Sequence, residues 1–221
     1  MASNKKKKDV VIHSAADDME IAGQYTVADW KACWTEPEDP WKKAISIFDT
    51  RIRSRFIDPV DFLFAHEIGR DRGMFGFAIL ALDCLLIETL QGFHSGVIDH
   101  TGKSKELFRA FLSKRLPEHF DDGGADESKA DKFYKKCRCA LHHAGQTDGD
   151  FRVGRNGPVI EFKDERVTVN RTAFHEELKR QFDAYLTELA NPANTDLRKN
   201  FKKKMDAICG IRSQETCGES A

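Results

Sequence analysis

At 221 residues, 40% hydrophobic and 32% charged, the chain is long enough to bury one sizeable core, and its composition excludes collagen-like, coiled-coil and low-complexity classes. A formal net charge of -1 excludes a protein that coats nucleic acid through bulk positive charge and leaves only local basic patches. Six cysteines (Cys33, Cys84, Cys137, Cys139, Cys209, Cys217) lack the C-x2-C pairs of a zinc site and the density of a secreted disulfide scaffold, and they read as reduced thiols in a cytoplasmic protein.

Residues 1–38 form an N-terminal extension of weak periodicity. Val10, Val11 and Ile12 suit a short edge strand, and Val27, Trp30 and Trp34 fall at the spacing of a short docking helix. After Lys5 to Lys8 the segment is too polar for the apolar core of a signal peptide. The main helical domain is expected over 39–190. Asp39-Pro40 opens its first helix, because an Asp caps orphan N–H groups and a proline at the first helical position loses nothing by lacking one. Trp41, Ile45, Phe48, Ile52 and Phe56 form the apolar stripe, Asp58-Pro59 ends the helix, and the same dipeptide opens a second one.

Gly69 to Gly73 breaks the pattern. The next stretch, from Met74 to about Gln91, is apolar nearly all round, which marks a central helix with partners on every side. Asp83 and Glu88 interrupt it, so it reads as a buried helix and not as a membrane span. His94-Ser95-Gly96 ends the helix. Ser104 is expected to cap another, with Leu107, Phe108, Phe111, Leu112 and Leu116 inward and Pro117 closing it. After an acidic loop, Lys132 to Gly145 forms an amphipathic helix with Phe133, Tyr134, Cys137, Ala140, Leu141 and Ala144 on one face and Gly145 as its C-terminal cap.

The period then changes to that of strands. Over 150–169 the pattern predicts a small β-hairpin or meander, with Asn156-Gly157 and Lys163-Asp164-Glu165 as turns, placed before the penultimate helix. Asn170 caps that helix, and Val169 and Phe174 stand where a hydrophobic staple forms. Phe174, Leu178, Phe182, Tyr185, Leu186 and Leu189 supply its buried stripe. Residues 191–221 read as a basic helix followed by a disordered polar tail. The fold class is therefore mainly α, a helical bundle with a small β appendage.

The residues with chemical potential lie near the end of the Lys132 to Gly145 helix. At about 100° per residue, Arg138 and His143 flank its apolar face roughly 140° apart, whereas His142 shares the arginine's side. A guanidinium grips phosphate oxygens as a planar fork, and an imidazole titrates near neutrality and so takes or gives a proton. Lys132, Lys135 and Lys136 stand beside them as candidate substrate-binding cations. Glu88 of the central helix is placed to face Arg138, either as a salt bridge or in a catalytic role. The same residues also admit a plainer account, in which the histidines favour the negative end of the helix dipole and Arg138 pairs with an acid. Two weaker constellations complete the survey. His94, Asp99 and His100 share one loop with metal-binding side chains, and Gly154-x-x-Gly157 is a turn and not a phosphate loop, since no helix follows it.

Arg138-Cys-Ala-Leu-His-His143 resembles the Arg-x4-His motif of the HEPN superfamily (higher eukaryotes and prokaryotes nucleotide-binding), as do its place on a late helix ending in Gly145 and the all-helical surroundings from Trp41 to Leu189. The resemblance implies a homodimer whose motif helices face one another across a shared cleft. It further implies a metal-independent endoribonuclease that needs no cofactor, in a toxin–antitoxin or antiviral defence setting. RNA would be its substrate and a protein antitoxin or regulator its possible partner, with no membrane involved. Carried onto this chain, Arg138 holds the scissile phosphate and His143 acts as general base or acid. Cys139 stands where active members often carry Asn, Asp or His, and the superfamily also contains inert members that only dimerise or bind nucleotides.

Overall fold

The computed structural model describes residues 15–35, 39–69, 73–122 and 128–211. The expected strand at Val10 to Ile12 and the polar tail beyond residue 211 lie outside these residues. The protein is mainly helical with small strand elements, and the N-terminal segment is more structured than its weak periodicity implies. Strands β1 (Glu20–Ala22) and β2 (Tyr25–Thr26) pair antiparallel and lead into α1 (Val27–Ala32). Thr26 and Asp29 close a reciprocal capping box at the start of α1. Trp30 is fully buried, and its indole N–H donates to Asp206 across 2.8 Å.

Asp39 caps α2 (Pro40–Ile52) through the N–H of Trp41. The helix does not stop at Asp58-Pro59, as the dipeptide suggests. It widens into a π-helical segment (Arg53–Ile57) and continues as α3 (Asp58–Ala65). The reason is local: Pro59 has no N–H, and in a regular helix its ring would meet the carbonyl of Arg55. The chain instead lets the Asp58 N–H reach back to the Arg53 carbonyl, the longer i→i+5 bond, and so continues past the proline.

Helix α4 (Gly76–Ser95) is the centre of the bundle. Among the described residues it is the one helix long and apolar enough to cross a membrane. In this structure most of it is buried by protein, and Gly96, with φ of 63°, supplies the left-handed cap. Helix α5 (Ser104–Arg115) begins at Ser104, but the serine does not cap it. Lys103 occupies the N-cap position, so Ser104 already lies inside the first turn, and its hydroxyl donates to Glu88 at 2.7 Å. Pro117 closes α5 by opening a short helix of its own, α6 (Pro117–Phe120).

The motif helix is built from α7 (Lys129–Phe133), a second π-helical segment (Tyr134–Cys139) and α8 (Ala140–Ala144), with Gly145 at φ of 67° as the predicted cap. Its burial fades along its length. Phe133 and Cys137 are fully buried, Tyr134, Ala140 and Leu141 are half-buried, and Ala144 is exposed. Phe133 holds this helix to the bundle through ring contacts with Phe108, Phe120, Phe151 and Phe174. Such pairs contribute about 0.5–1.5 kcal/mol each beyond area burial.

The β appendage differs from a meander. Strands β3 (Phe151–Gly154), β4 (Ile160–Lys163) and β5 (Arg166–Asn170) lie in the order β3-β5-β4, with β3 parallel to β5 and β4 antiparallel to it. The predicted hairpin exists at Asp164-Glu165, where Asp164 takes φ of 53°. Asn156-Gly157 joins strands that do not pair, because β5 returns between them. The central place lets β5 bond through its backbone on both edges, while Val167 and Val169 bury the face turned to the core.

Asn170 caps α9 (Arg171–Ala190) as expected, accepting from Ala173 at 3.2 Å, and its amide also donates to the Gly157 carbonyl at 2.9 Å. One side chain thus holds both the helix start and the β3–β4 connection. Asn170→Ala is expected to cost about 1–2 kcal/mol of unfolding free energy in urea titration; an unchanged midpoint would show that neither bond matters. Finally, α10 (Thr195–Ile208) buries Phe201 and Met205 against α4. Phe201 meets Trp30 and Phe48 edge to face and Phe93 at a tilt, and Phe48 meets Phe93 edge to face, so the first and last described helices share one aromatic core with the helices between them.

Candidate functional site

Arg138 lies in the second π-helical segment, on the side of the motif helix that faces α4. Its Nε donates to Glu88 Oε1 at 2.5 Å and a terminal nitrogen lies 3.4 Å from Oε2, while Ser104 holds that second oxygen. The guanidinium sits 5.7 Å from the centre of the Tyr134 ring. Burial opposes its charge, but the Glu88 carboxylate outweighs that and holds its pKa above the ordinary arginine value. Of the two roles open to Glu88, the salt bridge is the one present. Ser104 and Tyr134 belong to this network and were hidden in the sequence, one looking like a cap and the other like core. A regular period has no signal for the π-helical turn that sets their approach.

His142 and His143 are exposed at the end of α8, with ring centres 5.0 Å apart. His143 borders an open groove of about 340 Å³ whose walls include Lys135, Cys139, Thr147 and Asp148. The Asp148 N–H donates to the Lys136 carbonyl at 2.9 Å and fixes the far wall. Arg138 is not part of this groove, so a single protomer does not bring Arg138 and His143 together. The three lysines also separate: Lys135 enters the groove, whereas Lys132 and Lys136 both reach Glu165 in the β4–β5 turn, at 3.2 and 3.4 Å. An imidazole and an ammonium meet at this groove. The guanidinium waits on the adjoining face.

That adjoining face carries an exposed apolar stripe. On α4, Phe77, Ala81, Leu85 and Glu88 fall within about 80° of one another at helical spacing. Phe77 is 44% and Leu85 50% exposed, and Met74, just ahead of the helix, is exposed as well. The stripe ends at the Glu88–Arg138 pair.

The loop constellation does not converge. His94 is 2.9 Å from an Arg115 nitrogen and packs against Tyr185, and burial, then Arg115, pulls its pKa down to about 3. His100 instead meets Lys204, and Asp99 accepts from the Thr101 N–H. Glu118, His119 and Glu177 place ligand atoms within 4.8 Å of one another and have the donor types a divalent transition metal takes, although Glu177 already accepts from Arg180 and Gln181. Two further polar pairs are buried in the core: a hydrogen bond between Asp83 and His175 at 2.7 Å, and the salt bridge of Glu67 with Arg171. No family model, curated protein or solved structure matches the chain.

Proposed function

We propose that the chain is a HEPN-like, metal-independent endoribonuclease that works as a homodimer in the cytoplasm. The observation that carries this reading is the end of the motif helix, where His143 stands open in a groove beside Lys135 while Arg138 is pre-oriented on the neighbouring face by Glu88 and Ser104. In the dimer, Arg138 of one protomer and His143 of the other share one phosphate. His143 removes the proton from the RNA 2'-hydroxyl, that oxygen attacks phosphorus, and the bond to the 5'-oxygen breaks as that oxygen takes a proton from water. The exposed Phe77–Leu85 stripe supports a second copy, because it leads to Arg138 and a monomer rarely leaves such a run uncovered. A defence or toxin–antitoxin setting, with a protein antitoxin as partner, is part of the same reading.

The test is incubation of the purified protein with mixed RNA in EDTA, and an intact RNA pool sinks the nuclease. Leu85→Glu is expected to convert the dimer to a cooperatively melting monomer in light scattering, with loss of cleavage. A wild type that is already monomeric at high concentration contradicts the shared site. One observation favours a second reading. Both carboxylate oxygens of Glu88 engage Arg138, and Cys139 offers no strong polar partner, which suits a silent module that dimerises or binds RNA or a nucleotide. Such a module would shift RNA on a gel and leave it uncut.

A further inference from the structure

On the other side of α4 lies a cavity of about 200 Å³ between α2, the first π-helical segment, the loop after α4, and α10. Its walls carry Arg51, Arg55, His100 and Lys204, with Phe56 and Phe93 as apolar cover, and no carboxylate. None of Arg51, Arg55 and Lys204 pairs with an acid among the described residues. Arg51 and Arg55 both donate to the Ile21 carbonyl, at 2.5 and 3.1 Å, and Lys204 donates to the Val97 carbonyl and to His100 Nε2, each at 2.7 Å. These are neutral acceptors. An ammonium can only donate, so His100 accepts on Nε2 and is itself uncharged.

Burying like charges without a counter-charge is costly. The strain is visible in the groups themselves. Burial and then Arg51 pull Lys204 down to about 8, and burial and then Arg55 pull Arg51 down to about 10. Lys204 is only 8% exposed. A glycine also makes room for it: a Cβ on Gly92, in the last turn of α4, would lie 2.7 Å from Lys204 Nζ and 2.5 Å from His100 Nε2.

We propose that this cavity is a binding site for a small multivalent oxyanion, a phosphate held by Arg51, Arg55 and Lys204. Two guanidiniums and an ammonium converging on one small space match the oxygens of a phosphate better than a single carboxylate. The volume lies below the roughly 300–1,000 Å³ that encloses a whole drug-sized ligand. The occupant is therefore a free phosphate or the terminal phosphate of a larger molecule whose remainder stays outside. The site is distinct from the motif groove and does not depend on the nuclease reading.

Thermal melts of the full chain test this, with sodium phosphate or AMP added against sodium chloride at matched ionic strength. The expected result is a saturable rise in Tm with phosphate, weakened at least about tenfold in apparent affinity by Lys204→Met and by Arg55→Ala. Arg55 is exposed, so its removal keeps the test valid should Lys204→Met fold poorly. A response to phosphate alone identifies the free anion, and a response to AMP as well identifies a phosphomonoester; either supports the site. No rise beyond that of chloride, or an equal rise in the Arg55→Ala protein, overturns it.

Discussion

His143→Ala is expected to slow RNA cleavage in EDTA by about 10²–10⁴-fold, the usual worth of a positioned general acid or base, while leaving the melting temperature unchanged. The stability half follows from exposure: the His143 ring faces solvent, with His142 as its ring neighbour. The activity half follows from the groove, where Lys135 can hold a phosphate next to the imidazole. His142→Ala separates the possibilities. Equal loss with His142→Ala would assign the chemistry to the flank that His142 shares with Arg138. Arg138→Lys keeps a cation on Glu88 but loses the fork, and is expected to be nearly inactive. Mixing inactive Arg138→Lys with inactive His143→Ala then decides the composite site. A mixed dimer regains one intact pair only when arginine and histidine come from different protomers, so no recovery on mixing means that each chain cuts alone.

Glu67→Ala is expected to cost about 3–5 kcal/mol, the penalty for leaving a buried charge without its partner. Arg171 is 2% exposed, both of its terminal nitrogens meet the Glu67 carboxylate, and its guanidinium lies 5.9 Å from the centre of the Phe64 ring. The same carboxylate accepts the Met74 and Phe75 N–H groups, at 2.7 Å each, ahead of α4. For a chain of this length the loss corresponds to a fall in Tm of roughly 6–20 °C. Burial raises the Glu67 pKa, but Arg171 and the two N–H groups outweigh it and bring it down to about 2. The folded state therefore holds its proton less tightly than the unfolded state. This contribution is complete above about pH 4.5 and is lost as the pH falls towards 2. Urea titrations of wild type and Glu67→Ala should converge across that window; a constant gap down to pH 2 would show that the pair contributes no linked stability.

Much of the helical framework was legible because its signals are local. Asp39, Asn170, Gly96 and Gly145 act at the helix ends where their chemistry put them, and the stripe of α9 points inward as its period required, but α4, expected to have partners on every side, leaves Phe77 and Leu85 exposed. The two π-helical segments were not legible, because a wide turn leaves no period of its own and is settled by what packs around it. Pro59 is the nearest clue, and as a helix breaker it points to a stop. The order of the three strands depended on a parallel contact that no turn residue announces. For the candidate site, Arg138, Glu88 and both histidines stood out, but the division of Lys135 from Lys132 and Lys136 depended on Glu165, about thirty positions away. The phosphate cavity was invisible for the same reason. Arg51, Arg55 and Lys204 each look like one more charge on a solvated helix, and only the folded chain places them around one space.

The π-helical segment at Arg138 has a bearing on how this protein tolerates insertions and deletions. A π turn is a regular helix with one residue in surplus. Deleting a single residue, such as Lys135, would let the helix relax to ordinary winding without breaking it. In a regular helix such a deletion would turn one side by about 100° against the other; here the wide turn absorbs the change. Phe133 would stay among its aromatic neighbours, and the histidines would keep their bearing relative to the bundle. A chain lacking that residue should fold and melt much like its parent while moving the groove end of the helix along its axis by about one residue's rise, which makes this wide turn a place where length variation is absorbed without threatening the fold.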